Sequence, residues 1–268
     1  MSPNLSIILP AFNEAERLPA CVVLIRSYLE HAFFSSQFEV VVVDDGSQDA
    51  TRDQIGKTSG GWSKVRVLPL GQNFGKGRAL RTGVAAARGN FILLADADGA
   101  APIAEEANLR QAILDGADIA IGSRRLGTGG IERSWCRNLI GAGFAWLVKR
   151  MFDLPIRDTQ CGFKMFRGEV AQRLFGMCRE DGFLIDVEVL LHAHRLGYKI
   201  VEVPVAWRDV PGSKVRLFRD GWRMLTGLWR LRRRFKETTK KTKDTKEWRE
   251  LENGAGPAIG ALDSRPIP

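Results

Sequence analysis

Phe91-Ile92-Leu93-Leu94-Ala95-Asp96-Ala97-Asp98-Gly99 reads as a short strand, apolar at every position, that ends in two carboxylates one residue apart. A strand with no polar alternation has both faces buried, the habit of a parallel sheet covered by helices on each side. The pattern recurs along the first half of the chain. Ser6-Ile7-Ile8-Leu9-Pro10 runs into Ala11-Phe12-Asn13-Glu14, Phe38 to Val43 runs into Asp44-Asp45-Gly46-Ser47, and Val65 to Leu68 precedes the loop from Asn73 to Gly77. Ile113 to Ile121 covers a helix end and a strand that delivers Gly122-Ser123-Arg124. Between them, Asn13-Glu14-Ala15-Glu16 reads as a helix start with carboxylates in its first turn, and helices are expected from Thr51 and over Gly77 to Arg88. Strands alternating with helices predict right-handed crossovers and an α/β fold with a mostly parallel sheet flanked by helices. Such sheets bind ligands at the carboxyl ends of their strands, which is where each polar or glycine-rich loop falls.

The second half is less regular. Trp135 to Phe152 reads as an apolar helix, Phe163 to Arg167 as a short strand, Phe183 to Leu196 as a helix, Ile200 to Val205 as a strand and Val215 to Phe235 as a long helix. The organisation expected is a catalytic domain over 1–211, a basic amphipathic helix over 212–235 and a polar, largely disordered tail over 236–268. With 268 residues and 44% hydrophobic content the chain can bury one main core. No stretch approaches the roughly 20 apolar residues that cross a bilayer, and Met1 to Pro10 lacks the regions of a signal peptide, so a cytosolic catalytic domain is expected. Cys21, Cys136, Cys161 and Cys178 have no zinc-type spacing and read as reduced thiols; His31, His192 and His194 read as structural. The net charge of +9 has one source: residues 212–250 hold 14 Lys and Arg against 5 Asp and Glu, and the remainder is balanced. Only that stretch seeks a polyanion.

An isolated Asp-x-Asp is weak, since a solvated turn explains it. Placed after a buried strand at the ligand edge, Asp96 and Asp98 instead suit a shared hard cation, Mg²⁺ or Mn²⁺, that bridges a diphosphate and neutralises charge on it as a leaving group. Asp44-Asp45-Gly46-Ser47 suits a nucleoside, with a carboxylate as acceptor and Gly46 permitting close backbone approach; an Asp-Gly turn feeding a helix N-cap explains the same residues. Asn73-Phe74-Gly75-Lys76-Gly77 puts a cation among glycines at a helix start, which suits anion binding by backbone amides. Arg124, Arg125, Arg133, Arg137 and Arg208 are candidates to hold a phosphate.

These motifs, together with Arg157-Asp158-Thr159-Gln160-Cys161-Gly162-Phe163-Lys164, Asp186-Val187-Glu188 and Gly212-Ser213-Lys214, make the chain resemble the family 2 glycosyltransferases of GT-A fold, and among them the dolichyl-phosphate β-glucosyltransferases, over about Leu5 to Arg234. The resemblance implies inverting transfer of glucose from UDP-glucose to a polyprenyl phosphate. It implies that Pro10, Ala11, Asn13, Glu14, Asp44, Gly46, Ser47, Gly75, Lys76, Asp96 and Ala97 hold the nucleotide-sugar. Asp96 and Asp98 would bind the metal; Arg124, Arg133, Arg137, Gln160, Arg208, Ser213 and Lys214 would meet the acceptor and phosphates; and Asp98, Asp186 and Arg124 would serve catalysis. Related lipid-phosphate mannosyl enzymes carry a metal-binding Gln where this chain has Ala100, so more of the coordination falls to water or diphosphate.

A soluble chain must still reach a lipid. At about 100° per residue, Leu217, Phe218, Trp222, Met224, Leu225, Leu228, Trp229, Leu231 and Phe235 fall on one half of the last helix, opposite Arg219, Arg223, Arg230 and Arg234. This pattern fits a helix lying on an anionic membrane surface, hence a peripheral protein at the cytosolic membrane face; packing on the sheet with a solvated basic face is the alternative. Two other functions compete: UDP-sugar transfer to a diacylglycerol or a soluble glycan, and a non-enzymatic polyanion binder. Against the latter, the body carries no net charge and no nucleic-acid motif, so no nucleic-acid partner is expected.

Overall fold

The computed structural model describes residues 3–32, 37–126, 135–208, 210 and 217–244. Seven strands form one sheet: β1 (Leu5–Ala11), β2 (Phe38–Asp44), β3 (Val65–Pro69), β4 (Phe91–Leu94), β5 (Ile119–Ser123), β6 (Lys164–Arg167) and β7 (Ile200–Pro204), in the order β3-β2-β1-β4-β6-β5-β7. All pairings are parallel except those of β6, which runs antiparallel to both β4 and β5. Every residue of β2 is buried, as are Ile92, Leu93 and Leu94 of β4, in keeping with their continuous apolar runs.

The helices follow from the same patterning. In α1 (Leu18–Ala32), Leu18, Cys21, Val22, Ile25 and Leu29 recur at helical spacing and are buried. With α1, α2 (Thr51–Ser59) and α3 (Lys76–Ala86) complete the first three crossovers, and a Cβ on Gly83 of α3 would lie 2.3 Å from Ile8 Cγ2, so glycine lets the helix rest against β1. α4 (Glu106–Leu114), α5 (Trp135–Phe152), α6 (Gly168–Met177), α7 (Ile185–Arg195) and α8 (Leu217–Asp244) follow. The helix expected from Asn13 begins five residues later, at Leu18. Asn13 takes a left-handed conformation, φ 55°, and the Asn13-to-Ala15 turn is pinned to the loop after β2 by Asn13 N–H to Ser47 Oγ (2.9 Å), Gln48 N–H to Asn13 Oδ1 (2.8 Å) and Glu14 N–H to Thr51 Oγ1 (2.8 Å). Local side-chain bonds thus compete successfully with helix. The reading from sequence also passed over α6, although its buried Val170, Ala171, Leu174 and Phe175 follow helical spacing.

The chain divides into two compact units, Met1–Met224 and Leu225–Pro268. Residues 212–216 and the tail from 245 lie outside the described residues. Among the described residues no helix is long and apolar enough to cross a membrane. Of the apolar residues assigned to one half of α8, Leu228, Leu231 and Phe235 are buried, whereas Leu225 and Trp229 are exposed, Trp229 by 65%. The apolar half is therefore split, and only part of it faces solvent.

Candidate active site

Register explains why distant loops meet. Ala11 pairs with Asp44 and Ile8 with Leu94, so the chain leaves β1, β2 and β4 at one edge of the sheet. Antiparallel β6 starts at that edge, because Lys164 lies opposite both Leu94 and Ile121. The loop feeding β6 is thereby brought against the ends of β4 and β5. Gly162 has no room for a side chain: a Cβ there would lie 2.0 Å from Asp96 Oδ2. On the other flank, Gly122 N–H donates to Phe163 O at 2.8 Å.

At the centre stands Asp96, whose Oδ1 is 2.8 Å from Lys76 Nζ at the start of α3; the same ammonium lies 3.5 Å from Asp186 Oδ2 in the first turn of α7. The other oxygen of Asp186 accepts from Lys164, an ammonium with no exposed surface that also donates to Cys161 O. Four charges of alternating sign thus run from β4 through α3 and α7 to β6. Burial opposes ionisation of Asp186, but Lys164 and Lys76 outweigh it and hold the carboxyl below its usual range; burial likewise opposes the charge on Lys76, and Asp186 and Asp96 hold that ammonium well above its ordinary pKa. Asp98 is in the opposite situation. Burial and the adjacent Asp96 push its carboxyl up, against one hydrogen bond from Ala100 N–H at 3.1 Å and the charge of Arg17.

Several candidates are brought to this edge and differ in what they can do. Glu14 is paired with Arg17, Pro10 and Ala11 end β1, and Ala97 separates the two carboxylates, with both alanines buried. Asp44 is fully buried, bonded to Ser47 N–H at 3.0 Å and to Arg52, whose side chain is itself 47% exposed. The tight approach expected of Gly46 is made to the protein, not held open for a ligand: at φ 71°, its Cβ position lies 2.3 Å from Gln72 C. The amides after Asn73 are likewise already used. Phe74 and Gly75 N–H donate to the carboxylate of Asp45, both at 2.8 Å, and Gly77 and Arg78 N–H donate to Asp181 O at 2.7 and 3.3 Å. The anion bound by this glycine-rich turn is therefore Asp45, and Lys76 is what it presents.

Arg124 also differs from expectation. Its Nε and Nη2 donate to Asp158 at 2.7 and 2.6 Å and its guanidinium lies 4.9 Å from the Trp207 ring centroid, so its bidentate face is engaged inside the protein. Burial opposes both charges, but each partner outweighs it, raising the pKa of Arg124 and lowering that of Asp158. Near this pair the buried Ser123 Oγ, Thr159 Oγ1 and Gln160 Nε2 have no hydrogen-bond partner among the described residues. Arg208 is exposed and its N–H donates to Ala100 O at 2.9 Å, bringing it beside the acidic loop. Arg133, Ser213 and Lys214 lie outside the described residues, as does the Arg137 side chain of α5. Sequence reading gave no individual role to Asp45, Asp158, Lys164 or Asp181. Lys164 carried a usable signal: a lysine flanked by Phe163, Met165 and Phe166 in a buried strand requires a buried partner.

The described residues include no group of three or more His, Cys, Asp or Glu able to enclose a metal. The acidic pair nevertheless fits a hard divalent ion: its donors are all oxygen, the like charges penalise Asp98, and Lys76 already rests as a stand-in cation on Asp96. Remaining ligands would come from substrate and water.

This edge defines the class of protein. The chain matches the Glycosyl transferase family 2 model over residues 6–175, and it belongs to that family and is a glycosyltransferase. It is 40% identical over 254 residues to the dolichyl-phosphate beta-glucosyltransferase of Drosophila melanogaster, covering 86% of this chain and 78% of the relative. The same-named protein of Homo sapiens is 39% identical over 255 residues, covering 85% and 78%. Among solved structures, the fold matches glucosyl-3-phosphoglycerate synthase from Mycobacterium tuberculosis in complex with Mn²⁺, UDP-Glc and glycerol 3-phosphate, with a TM-score of 0.58 at 20% identity over 86% of this chain and 76% of that one. A mannosyltransferase from Pyrobaculum calidifontis in complex with GDP-Man and Mn²⁺ matches with a TM-score of 0.55 at 20% identity, covering 83% and 60%. The expected GT-A architecture is thus the observed one.

Proposed function

We propose that the chain moves glucose from UDP-glucose to a polyprenyl phosphate of the dolichyl type, with inversion, at the cytosolic face of a membrane. The observation that carries this reading is the acidic pair Asp96 and Asp98 at the ligand edge, joined through Lys76 to an ionised Asp186; the names of the relatives support the acceptor. Asp96 and Asp98 would hold Mg²⁺ or Mn²⁺, which when bound supplies positive charge to a diphosphate leaving group. Pro10, Asn13, Glu14, Asp44 and Ser47 surround the nucleoside side, and Lys76 addresses the diphosphate. A phosphomonoester is already anionic near neutral pH, so the acceptor needs alignment rather than a general base. Asp186 agrees with that: both its oxygens face ammonium groups, so its part is to position Lys76 and the reacting groups. Arg208, with Arg133, Arg137, Gln160, Ser213 and Lys214, is assigned to the acceptor phosphate, while Arg124 shapes that side through Asp158.

A panel of UDP- and GDP-sugars with polyprenyl phosphate, read by the mass of the lipid product, is expected to give product with UDP-glucose, to lose it with EDTA and to regain it with Mg²⁺ or Mn²⁺. Turnover with diacylglycerol or a soluble glycan but none with polyprenyl phosphate would replace this reading. The membrane surface is tested separately. Among the described side chains of α8, Leu225 and Trp229 are the exposed large apolar residues, next to exposed Arg230 and Arg233, so L225E/W229E should reduce flotation with anionic vesicles severalfold. Undiminished flotation would remove α8 as the docking element.

A further inference from the structure

Lys76 is held in place from behind. Gly75 and Gly77 lie so close to the 180–182 segment that Cβ atoms there would fall 2.4 and 2.3 Å from the carbonyl oxygens of Asp181 and Glu180. That segment is tied in turn to α7, since Glu188 Oε2 accepts from Arg179 and Glu180 N–H at 2.9 and 2.8 Å. With the backbone of α3 fixed, the freedom left to Lys76 is that of its side chain, which lies between two carboxylates on different elements. It rests nearer Asp96. A divalent ion on Asp96 and Asp98 cannot coexist comfortably with an ammonium at 2.8 Å from the same carboxylate, because the two cations repel and compete for one oxygen. Asp186 offers the displaced ammonium a second carboxylate, and Lys164 weakens its pull by already occupying the other oxygen.

We propose that Lys76 is an exchangeable counter-cation: it neutralises Asp96 while the acidic pair holds no metal, and transfers to Asp186 and the incoming diphosphate when a divalent ion binds. Lys164 is then a positioning residue that keeps Asp186 ready without trapping Lys76. The inference rests on the reading of Asp96 and Asp98 as the metal pair. Its consequence is coupling: metal alone binds against Lys76, whereas a diphosphate that accepts Lys76 removes the competitor, so metal and donor strengthen one another.

The test is a titration of the full chain with Mn²⁺, free ion being counted by electron paramagnetic resonance, without nucleotide and then with UDP. Lys76→Met is expected to bind Mn²⁺ at least about tenfold tighter than wild type without nucleotide, and to lose most of the further tightening that UDP gives wild type. Asp186→Asn should bind severalfold more weakly, and the Lys76→Met/Asp186→Asn double variant should bind more tightly than Asp186→Asn alone. Lys76→Gln serves as the repeat if Lys76→Met fails to fold. Unchanged or weaker Mn²⁺ affinity in a folded Lys76 variant would overturn the exchange. A different result would strike the underlying reading instead: Asp98→Asn binding Mn²⁺ as wild type does would show that the acidic pair is not the metal site.

Discussion

Asp98→Ala is expected to lower the rate of lipid-linked product formation by at least about a thousandfold, the scale of losing a preorganised charge at a leaving group. The argument turns on how little else Asp98 does. It lies in the turn after β4, half-exposed, and accepts one hydrogen bond, from Ala100 N–H. Burial and Asp96 push its carboxyl up, so its charge is a cost to the folded protein that substitution removes. The variant should therefore unfold within about 1 kcal/mol of wild type. Loss of activity with a retained unfolding midpoint isolates the chemistry from the fold. Wild-type turnover in this variant would refute the assignment of the pair.

The same residues show where sequence was sufficient and where it stopped. Apolar runs ending in polar loops were enough to predict a mostly parallel sheet, and the runs of β1, β2, β4 and β5 are nearly all buried, because burial of both faces leaves a pattern in the chain itself. The position of β6 was not legible. Phe163 to Arg167 reads as a strand but carries no sign of its direction, and it is the antiparallel insertion between β4 and β5 that brings Gly162 against Asp96 and Lys164 to Asp186. Several candidates accordingly stand at this edge with protein partners that the sequence did not show. Arg124 was read as a phosphate ligand, yet its geometry matches Asp158; the amides near Gly75 were read as an anion site, yet the anion is Asp45. In each case the residue type announced its chemistry, and only tertiary contact decided whether the partner was substrate or protein.

Gly162→Ala should separate these two kinds of partner most sharply. Its Cβ would fall 2.0 Å from Asp96 Oδ2 and 2.5 Å from Asp96 Cγ, so something must move by an ångström or more. The loop has little freedom to retreat: Phe163 O is bonded to Gly122 N–H, and Asp158 is bonded to Arg124 through side chain and backbone. Asp96 is the softer body, a side chain about one-third exposed, and it can swing off by giving up Lys76. Displacement of a reacting or ligating group by about 1 Å costs about a hundredfold in turnover, and that is the loss expected, accompanied by weaker Mn²⁺ binding. Stability should fall by less than about 1 kcal/mol, a shift of roughly 2–4 °C in the unfolding midpoint. Gly122→Ala makes the contrast, since its Cβ would press on Phe163 O and Val205 Cγ2, both at 3.0 Å, deep in the sheet. There activity should follow the fraction of folded protein, and if Gly162→Ala behaves the same way, Gly162 serves packing alone and the carboxylate it touches is not tuned by that contact.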